Sequence, residues 1–149
     1  MNTKQLKLKI VTPERLVLEE MVDQVSLPTL LGEITVLPDH IPLITGLSSG
    51  DVVAYSGGEL VPMAVVGGFV EIKHNEQGTT EVAVLADFAE HMAELSDEKI
   101  EQAKARADEL KEKMKNKDVV DFEHFEAELE RSLTRVKIAD KWRTKKYRK

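Results

Sequence analysis

The sequence predicts an α+β fold in which an N-terminal antiparallel β-sandwich over residues 1–88 is followed by an antiparallel two-helix hairpin over residues 89–149. All five prolines and all eight glycines lie before Thr79, where they separate short runs with the alternation of half-buried strands. From Glu90 onward, apolar residues instead recur every three or four positions, which is typical of a helix with one buried face. A chain of 149 residues has room for one domain with such an appendage.

The N-terminal part divides into short strands. Leu6, Leu8 and Ile10 alternate with Lys7 and Lys9, which is the period-two pattern of a strand with one buried face. Turn signals rich in proline, glycine and asparagine separate the later runs. These runs predict further strands at residues 15–18, 21–27, 33–37, 51–55, 59–65, 69–73 and 81–85.

Two amphipathic helices are predicted in the C-terminal part. Ser96 or Asp97 can cap the first helix, and Asp121 can cap the second after a polar turn at residues 116–118. The apolar stripe of the first helix consists of Ile100, Ala103, Ala107, Leu110 and Met114. The stripe of the second consists of Phe122, Phe125, Leu129, Leu133 and Val136. Because both stripes are narrow, we expect the hairpin to be marginally stable alone and therefore able to open.

The composition excludes several classes of site. With no cysteine, the chain has no disulfide, thiolate nucleophile, zinc finger or iron–sulfur cluster. It contains no phosphate-binding glycine-rich motif, no zinc-protease motif and no serine-hydrolase motif. The four histidines are scattered, so no metal site is expected, and the adjacent Asp39 and His40 are interpreted as turn residues. These features favour an interaction module over an enzyme.

Basic residues are concentrated at the C-terminus. Although the net charge is -6, residues 131–149 hold nine of the 21 Lys and Arg residues and a single acid, Asp140. Such a tail attracts nucleic acid, an anionic membrane or an acidic protein surface by the same long-range force, and charge alone does not choose among them. Trp142 and Tyr147 could stack on bases, but the strongly acidic remainder of the chain disfavours nucleic-acid binding.

The N-terminus lacks the features of a targeting segment. Lysines alternate with leucine and isoleucine over residues 1–10, where a signal peptide would have a continuous apolar core. No apolar run approaches the roughly 20 residues needed to cross a bilayer. We therefore expect a chain that is not exported and that reaches a membrane only through a partner.

Residues 32–45 read GEITVLPDHIPLIT, and they are accompanied by LKIVTPE at residues 8–14, GGFVE at 67–71 and VAVLAD at 82–87. In order, spacing and residue type, this series resembles the epsilon subunit of the bacterial F-type rotary ATP synthase. A helical hairpin of the length expected for that family follows the last segment. The resemblance therefore covers nearly the whole chain.

The resemblance implies a non-catalytic central-stalk subunit of a proton-translocating ATP synthase at the cytoplasmic face of the bacterial plasma membrane. In that family the sandwich docks on the gamma subunit and on the ring of c subunits, and helps to couple proton flow to ATP synthesis. Leu31, Gly32 and Glu33 match the ring-contacting loop, and His40 matches the signature histidine. A carboxylate at Glu33 suits the polar and basic loops that ring subunits present. No residues are assigned to the gamma contact.

The implied role of the hairpin is to inhibit ATP hydrolysis. In the family it lies folded on the sandwich or extends into the alpha/beta catalytic head, where basic side chains meet an acidic segment of the beta subunit. Arg131, Arg135 and Lys141 are placed for that contact in this sequence. The resemblance thus implies a two-state element whose populations depend on its surroundings.

A second implied role is ATP sensing on the folded hairpin. Some family members bind ATP through an Ile/Leu-Asp-x-x-Arg-Ala motif, assisted by an acid and arginines that correspond here to Glu90, Arg106, Arg131 and Arg135. The motif itself reads LSDEKI at residues 95–100, so lysine replaces an arginine whose planar bidentate contact it cannot reproduce. Apart from regulatory ATP in this alternative, no cofactor is expected. An ATP sensor and a nucleic-acid-binding module remain as alternatives to the rotor subunit.

Overall fold

The computed structural model describes residues 4–115 and 122–148. Within these ranges, ten strands precede a short 3-10 helix at Met92–Glu94 and two α-helices, α1 at Asp97–Met114 and α2 at Phe122–Trp142. The strands are β1 Leu6–Val11, β2 Leu16–Val22, β3 Gln24–Thr29, β4 Gly32–Val36, β5 Leu43–Gly46, β6 Gly50–Ser56, β7 Glu59–Val66, β8 Phe69–His74, β9 Thr80–Leu85 and β10 Phe88–His91. The predicted order of a β-rich part followed by two helices is confirmed.

Two five-stranded sheets form the sandwich. Sheet A has the order β2-β1-β9-β8-β5 and sheet B the order β10-β7-β6-β3-β4. Neighbouring strands are antiparallel except for β1 and β9, which are parallel. Leu6, Leu8 and Ile10 are fully buried between the sheets, as their alternation predicts. The core of the sandwich draws on strands of both sheets and on none of the described helical residues.

Two strands were missed by the sequence pattern. Strand β5 has only four residues and pairs with β8, so it is too short to show an alternation. Strand β10 pairs with β7 and buries both Ala89 and Glu90, which hides the period of two. Sheet B therefore continues to His91, beyond residue 88, where the sequence pattern predicts the change from strands to helices.

The break between β2 and β3 also lies elsewhere than expected. The pattern predicted strands at 15–18 and 21–27, whereas the chain remains extended to Val22 and turns at Asp23. The Asp23 carboxylate explains this position, because it accepts hydrogen bonds from the Gln5 side chain at 3.1 Å and from the Gly57 amide at 3.2 Å. Neither partner is near Asp23 in sequence, so local patterns could not indicate them.

The first helix follows its prediction. Ser96 is the N-cap, and its hydroxyl accepts a hydrogen bond from the Lys99 amide at 3.3 Å. The buried residues of α1 are Ile100, Ala103, Ala107 and Leu110, all members of the predicted stripe. The predicted cap at Asp121 and the turn at residues 116–118 lie outside the described residues.

The stripe predicted for the second helix is wrong. The buried residues of α2 are Ser132, Thr134, Ile138, Ala139 and Trp142, whereas Leu133 is 40% exposed and Phe122 46% exposed. The reason is tertiary, because α2 packs on α1 and also on β7 of sheet B, where Ala64 leaves space for Ile138 and Ala139. A helix that packs on two partners buries a face that its own most apolar stripe does not identify. No helix in the described ranges is apolar enough over a sufficient length to span a membrane.

Candidate functional site

A cleft of about 770 Å³ lies between α1, α2 and strand β10. The four residues assigned to ATP from the sequence, Glu90, Arg106, Arg131 and Arg135, all line this cleft. Lys99, which replaces the arginine of the resembled motif, lines it too. Residues far apart in the sequence are therefore brought together in one concave surface.

Glu90 ties the sandwich to both helices. Its side chain is only 8% exposed, and one carboxylate oxygen accepts a hydrogen bond from Arg135 Nε at 2.7 Å. The other oxygen accepts one from Lys99 Nζ at 3.4 Å. The guanidinium carbons of Arg135 and Arg131 lie 4.9 and 5.4 Å from the centre of the Phe88 ring, within the range of cation–π attraction.

The guanidinium of Arg106 is engaged by two carboxylates, those of Glu128 and Glu109. Its Nε and one Nη donate to the two oxygens of Glu128 at 2.6 and 3.0 Å, and its other Nη lies 3.0 Å from Glu109. These hydrogen bonds raise the pKa of Arg106 and lower the pKa of Glu128. An anion that bound Arg106 would have to displace Glu128. No sequence signal marked Glu128, because it is 22 residues from Arg106 and belongs to the other helix.

The charges of the cleft favour an anionic ligand. Four cations, Lys99 and the three arginines, face the carboxylates of Glu90 and Glu128. An excess of positive charge in a partly enclosed site attracts polyanions such as nucleotide phosphates. Within the described residues, no cluster of side chains is arranged to hold a metal ion.

The three basic residues assigned to inhibition lie against the rest of the folded molecule. Arg131 and Arg135 contact Phe88, and Arg135 also pairs with Glu90. Lys141 Nζ lies 2.8 Å from Asp51, whose side chain is 11% exposed. Any contact of Arg135 or Lys141 with another subunit would compete with these ion pairs.

An apolar edge runs along β4 and β5, the outermost strands of sheets B and A at one side of the sandwich. Leu31 is 90% exposed at the tip of the β3–β4 turn, where Gly32 adopts a φ of +110° that favours glycine. Glu33 is exposed beside it. The large apolar side chains exposed by more than half along this edge are Leu30, Leu31, Leu37, Ile41 and Ile44.

His40 lies on the same edge but at its other end. His40 follows the five residues of β4, and Gly32 is the first of them. At about 3.3 Å per residue, the length of this strand places His40 at least roughly 13 Å from Gly32. Its Nδ1 lies 2.7 Å from the Ile41 carbonyl, and its own carbonyl lies 2.7 Å from His74 Nε2. Leu31, Gly32 and Glu33 thus form one turn, and the structure does not bring His40 into that turn.

An apolar row crosses the outer face of sheet A. Phe69 pairs with Leu85, Leu85 with Val11, and Val11 with Leu16, so the four side chains lie side by side on four adjacent strands. Phe69, Leu85 and Leu16 are each about half exposed. The row continues to Gly46 of β5, which pairs with Phe69. The Leu30 side chain covers Gly46 so closely that a Cβ on residue 46 would lie 2.4 Å from a Leu30 carbon. Sequence reasoning missed this row, because it depends on strand register.

Known proteins share both the sequence pattern and the fold. A family model described as the beta-sandwich domain of the ATP synthase delta/epsilon chain matches residues 5–92. An ATP synthase epsilon chain from Nitratidesulfovibrio vulgaris is 38% identical over 135 residues, which cover 91% of this chain and 96% of the relative. One from Dehalococcoides mccartyi is 40% identical over 141 residues, covering 93% and 95%. A chain in the cryo-EM structure of the Euglena gracilis mitochondrial ATP synthase has the same fold, with a TM-score of 0.65 and 24% identity, covering 87% of this chain and 78% of that one.

Proposed function

This chain belongs to the family of ATP synthase epsilon chains, and we propose that it is a central-stalk subunit that couples rotation to catalysis and restrains ATP hydrolysis through its hairpin. It is a non-catalytic subunit of that enzyme. Its place is at the cytoplasmic face of the bacterial plasma membrane, held there by other subunits. The observation that carries the proposal is the division of the sandwich surface: the hairpin packs on sheet B, while the β4–β5 edge and the outer face of sheet A expose apolar side chains.

The apolar edge is proposed to contact the ring of c subunits. Leu31 protrudes from the β3–β4 turn with Glu33 beside it, which joins an apolar anchor to a carboxylate. Such a pair suits a polar and basic loop, because the apolar group supplies burial and the charge selects the partner. His40 extends the same docking edge at its far end.

The apolar row on sheet A is proposed to contact the gamma subunit. An apolar row of about half-exposed side chains that no part of the described chain covers is typical of an interaction surface. Leu30 joins this row to the apolar edge at Gly46. The gamma subunit and the ring of c subunits would then cover neighbouring parts of one continuous surface.

The folded hairpin is proposed to be the non-inhibitory state. Arg135 and Lys141 are engaged with Glu90 and Asp51, so they reach the beta subunit only after the hairpin leaves the sandwich. Glu90 is the most buried of these acids and bonds to both helices, which makes it the strongest single restraint on opening.

Substitution of Glu90 tests this proposal. Glu90→Gln removes a charge-assisted acceptor worth about 2 kcal/mol, which corresponds to a rise of roughly thirtyfold in the open fraction. We therefore expect slower ATP hydrolysis by a complex reconstituted with this variant. Glu94→Gln, at an exposed acid that pairs with Arg15, is the matched control. Equal hydrolysis rates with both variants would contradict the proposal.

ATP sensing is proposed as a second function, favoured by the excess of cations in the cleft. Titration calorimetry of the full chain with ATP, with and without Mg²⁺, is expected to give binding that is lost when Arg106, Arg131 and Arg135 are all changed to alanine. Lys111→Ala, on the exposed face of α1, is the control for charge alone. Absence of binding to the unmodified chain at millimolar ATP would remove this function.

A further inference from the structure

The C-terminal end of the chain is anchored to both sheets. The indole Nε1 of Trp142 donates to Asp51 of β6 at 2.9 Å, and Trp142 is only 3% exposed. The Arg148 amide donates to the Leu60 carbonyl of β7 at 2.7 Å. The Arg148 guanidinium donates to both oxygens of Glu20 of β2, at 2.7 and 2.8 Å.

Trp142, Tyr147 and Arg148 form one unit, which we name the C-terminal clasp. Tyr147 packs edge-on against Trp142 with ring centres 6.2 Å apart, and both belong to the apolar layer between the hairpin and sheet B. The clasp thereby spans strands β6 and β7 of sheet B and β2 of sheet A. A solvated, frayed helix end would make none of these contacts.

The position of the clasp determines how the hairpin is held. The hairpin is joined to the sandwich covalently at one point, where Leu95 precedes the Ser96 cap of α1. The clasp provides a second, non-covalent attachment at the end of α2, which in this antiparallel hairpin lies beside the start of α1, with Leu95 and Trp142 in one apolar cluster. With the end of α2 held on β6, β7 and β2, α2 cannot swing away from sheet B, whereas release of the clasp leaves a hairpin that can pivot about the Leu95–Ser96 connection.

We propose that the C-terminal clasp is a latch whose release precedes departure of the hairpin from the sandwich. Its regulatory consequence rests on the proposed function, because opening alters ATP hydrolysis only if the extended hairpin is inhibitory. The latch itself depends only on contacts within the chain. It can therefore be tested without the other subunits.

Trp142 is the only tryptophan in the chain, so its fluorescence reports directly on the latch. In the full chain, Arg148→Ala removes both bonds to Glu20 and leaves the sandwich core intact, because Arg148 lies outside that core. We expect at least a twofold larger acrylamide quenching constant for Trp142, together with faster amide hydrogen exchange in residues 132–142. Lys146→Ala, an exposed cation of the same tail, is the matched control and should change neither quantity.

A second variant tests whether the change in exchange reflects release of the clasp and not only the loss of the Arg148 side chain. Asp51→Ala removes the partner of Trp142 and Lys141, and it should also speed exchange in residues 132–142. If Arg148→Ala and Asp51→Ala both exchange like Lys146→Ala, the latch is refuted. If exchange accelerates but the reconstituted complex hydrolyses ATP at an unchanged rate, the latch stands and the inhibitory role of the hairpin is wrong.

Discussion

Glu128 occupies the guanidinium fork that a nucleotide would need. It makes two hydrogen bonds with Arg106 across the two helices, and a carboxylate in that bidentate position resembles a phosphate in shape and charge. The cleft is thus partly neutralised by the chain itself. In the absence of a ligand, this contact holds α1 to α2.

We expect Glu128→Gln to raise the affinity of the cleft for ATP, because a neutral amide competes less well than a carboxylate for the Arg106 guanidinium. Glu126→Gln, an exposed acid on the same helix that does not line the cleft, should leave the affinity unchanged. Titration calorimetry measures both. An affinity unaltered by Glu128→Gln would show that Glu128 does not compete with the ligand.

His91 makes the connection between sandwich and hairpin sensitive to pH. Its Nδ1 accepts a hydrogen bond from the Ala93 amide at 3.0 Å, which requires an unprotonated nitrogen. Burial is the main cause that lowers the pKa of His91 from its ordinary value of 6.5. The charges of Glu94 and Glu20 oppose this decrease and the charge of Arg148 adds to it, so the net shift is downward. Between its lowered pKa and a pH of about 6.5, His91 therefore binds fewer protons in the folded state than in the unfolded state.

The sign of the pH dependence follows from that depressed pKa. The contribution of neutral His91 is fully present above pH 6.5 and is lost as the pH falls below it. We expect the free energy of unfolding, measured with urea at pH 7.5 and 5.5, to fall by less in His91→Gln than in the parent chain. His124→Gln, on the exposed surface of α2, is the control. An identical decline in all three proteins would exclude His91 as the cause.

At the scale of elements, α2 shows what a sequence pattern can and cannot identify. Its existence follows from a period of 3.6, but its buried face does not. Leu133 belongs to the most apolar stripe yet is 40% exposed, whereas Ile138 is 1% exposed against sheet B. The strands behave alike: β1 was predicted from its alternation, and β10 was not, because two adjacent residues are buried there.

Some residues of the candidate site could be predicted from the sequence and others could not. Glu90 and the three arginines were predicted from a resemblance, and the structure brings them to one cleft. Glu128 and the apolar row on sheet A could not be predicted, because they depend on a contact between helices and on strand register. Local residue patterns carry no information about such long-range pairings.

The buried face of α2 can be tested by a pair of substitutions. Ile138→Ala should destabilise the packing of the hairpin by about 2–4 kcal/mol, because it leaves a cavity against Ala64. Leu133→Ala, from the stripe that the sequence favoured, should cost less than about 1 kcal/mol. Hydrogen exchange in residues 132–142 measures both effects. A larger effect of Leu133→Ala would mean that the predicted stripe is the buried one.

At the scale of the whole molecule, two separate cores are compatible with the proposal that one chain combines docking with a movable hairpin. Among residues 4–115 and 122–148, the sandwich core contains no helical residue, while a second, smaller cluster joins the hairpin to sheet B through Ala64, Ile138, Ala139 and Trp142. The hairpin can therefore leave without dismantling the sandwich. The proposed docking surfaces are the β4–β5 edge and the outer face of sheet A, whereas the hairpin packs on the outer face of sheet B.

The most direct test compares the full chain with a chain that ends after Leu95, each reconstituted into the ATP synthase. We expect both chains to bind the gamma subunit and the c ring with similar affinity, because the sandwich core is complete without the hairpin. ATP hydrolysis should be slower in the complex that contains the full chain than in the complex that contains the shortened chain. Leu31→Asp in the full chain should give the converse result, a loss of docking with the hairpin intact. Loss of docking in the shortened chain, or equal restraint of hydrolysis by both chains, would contradict this division of labour.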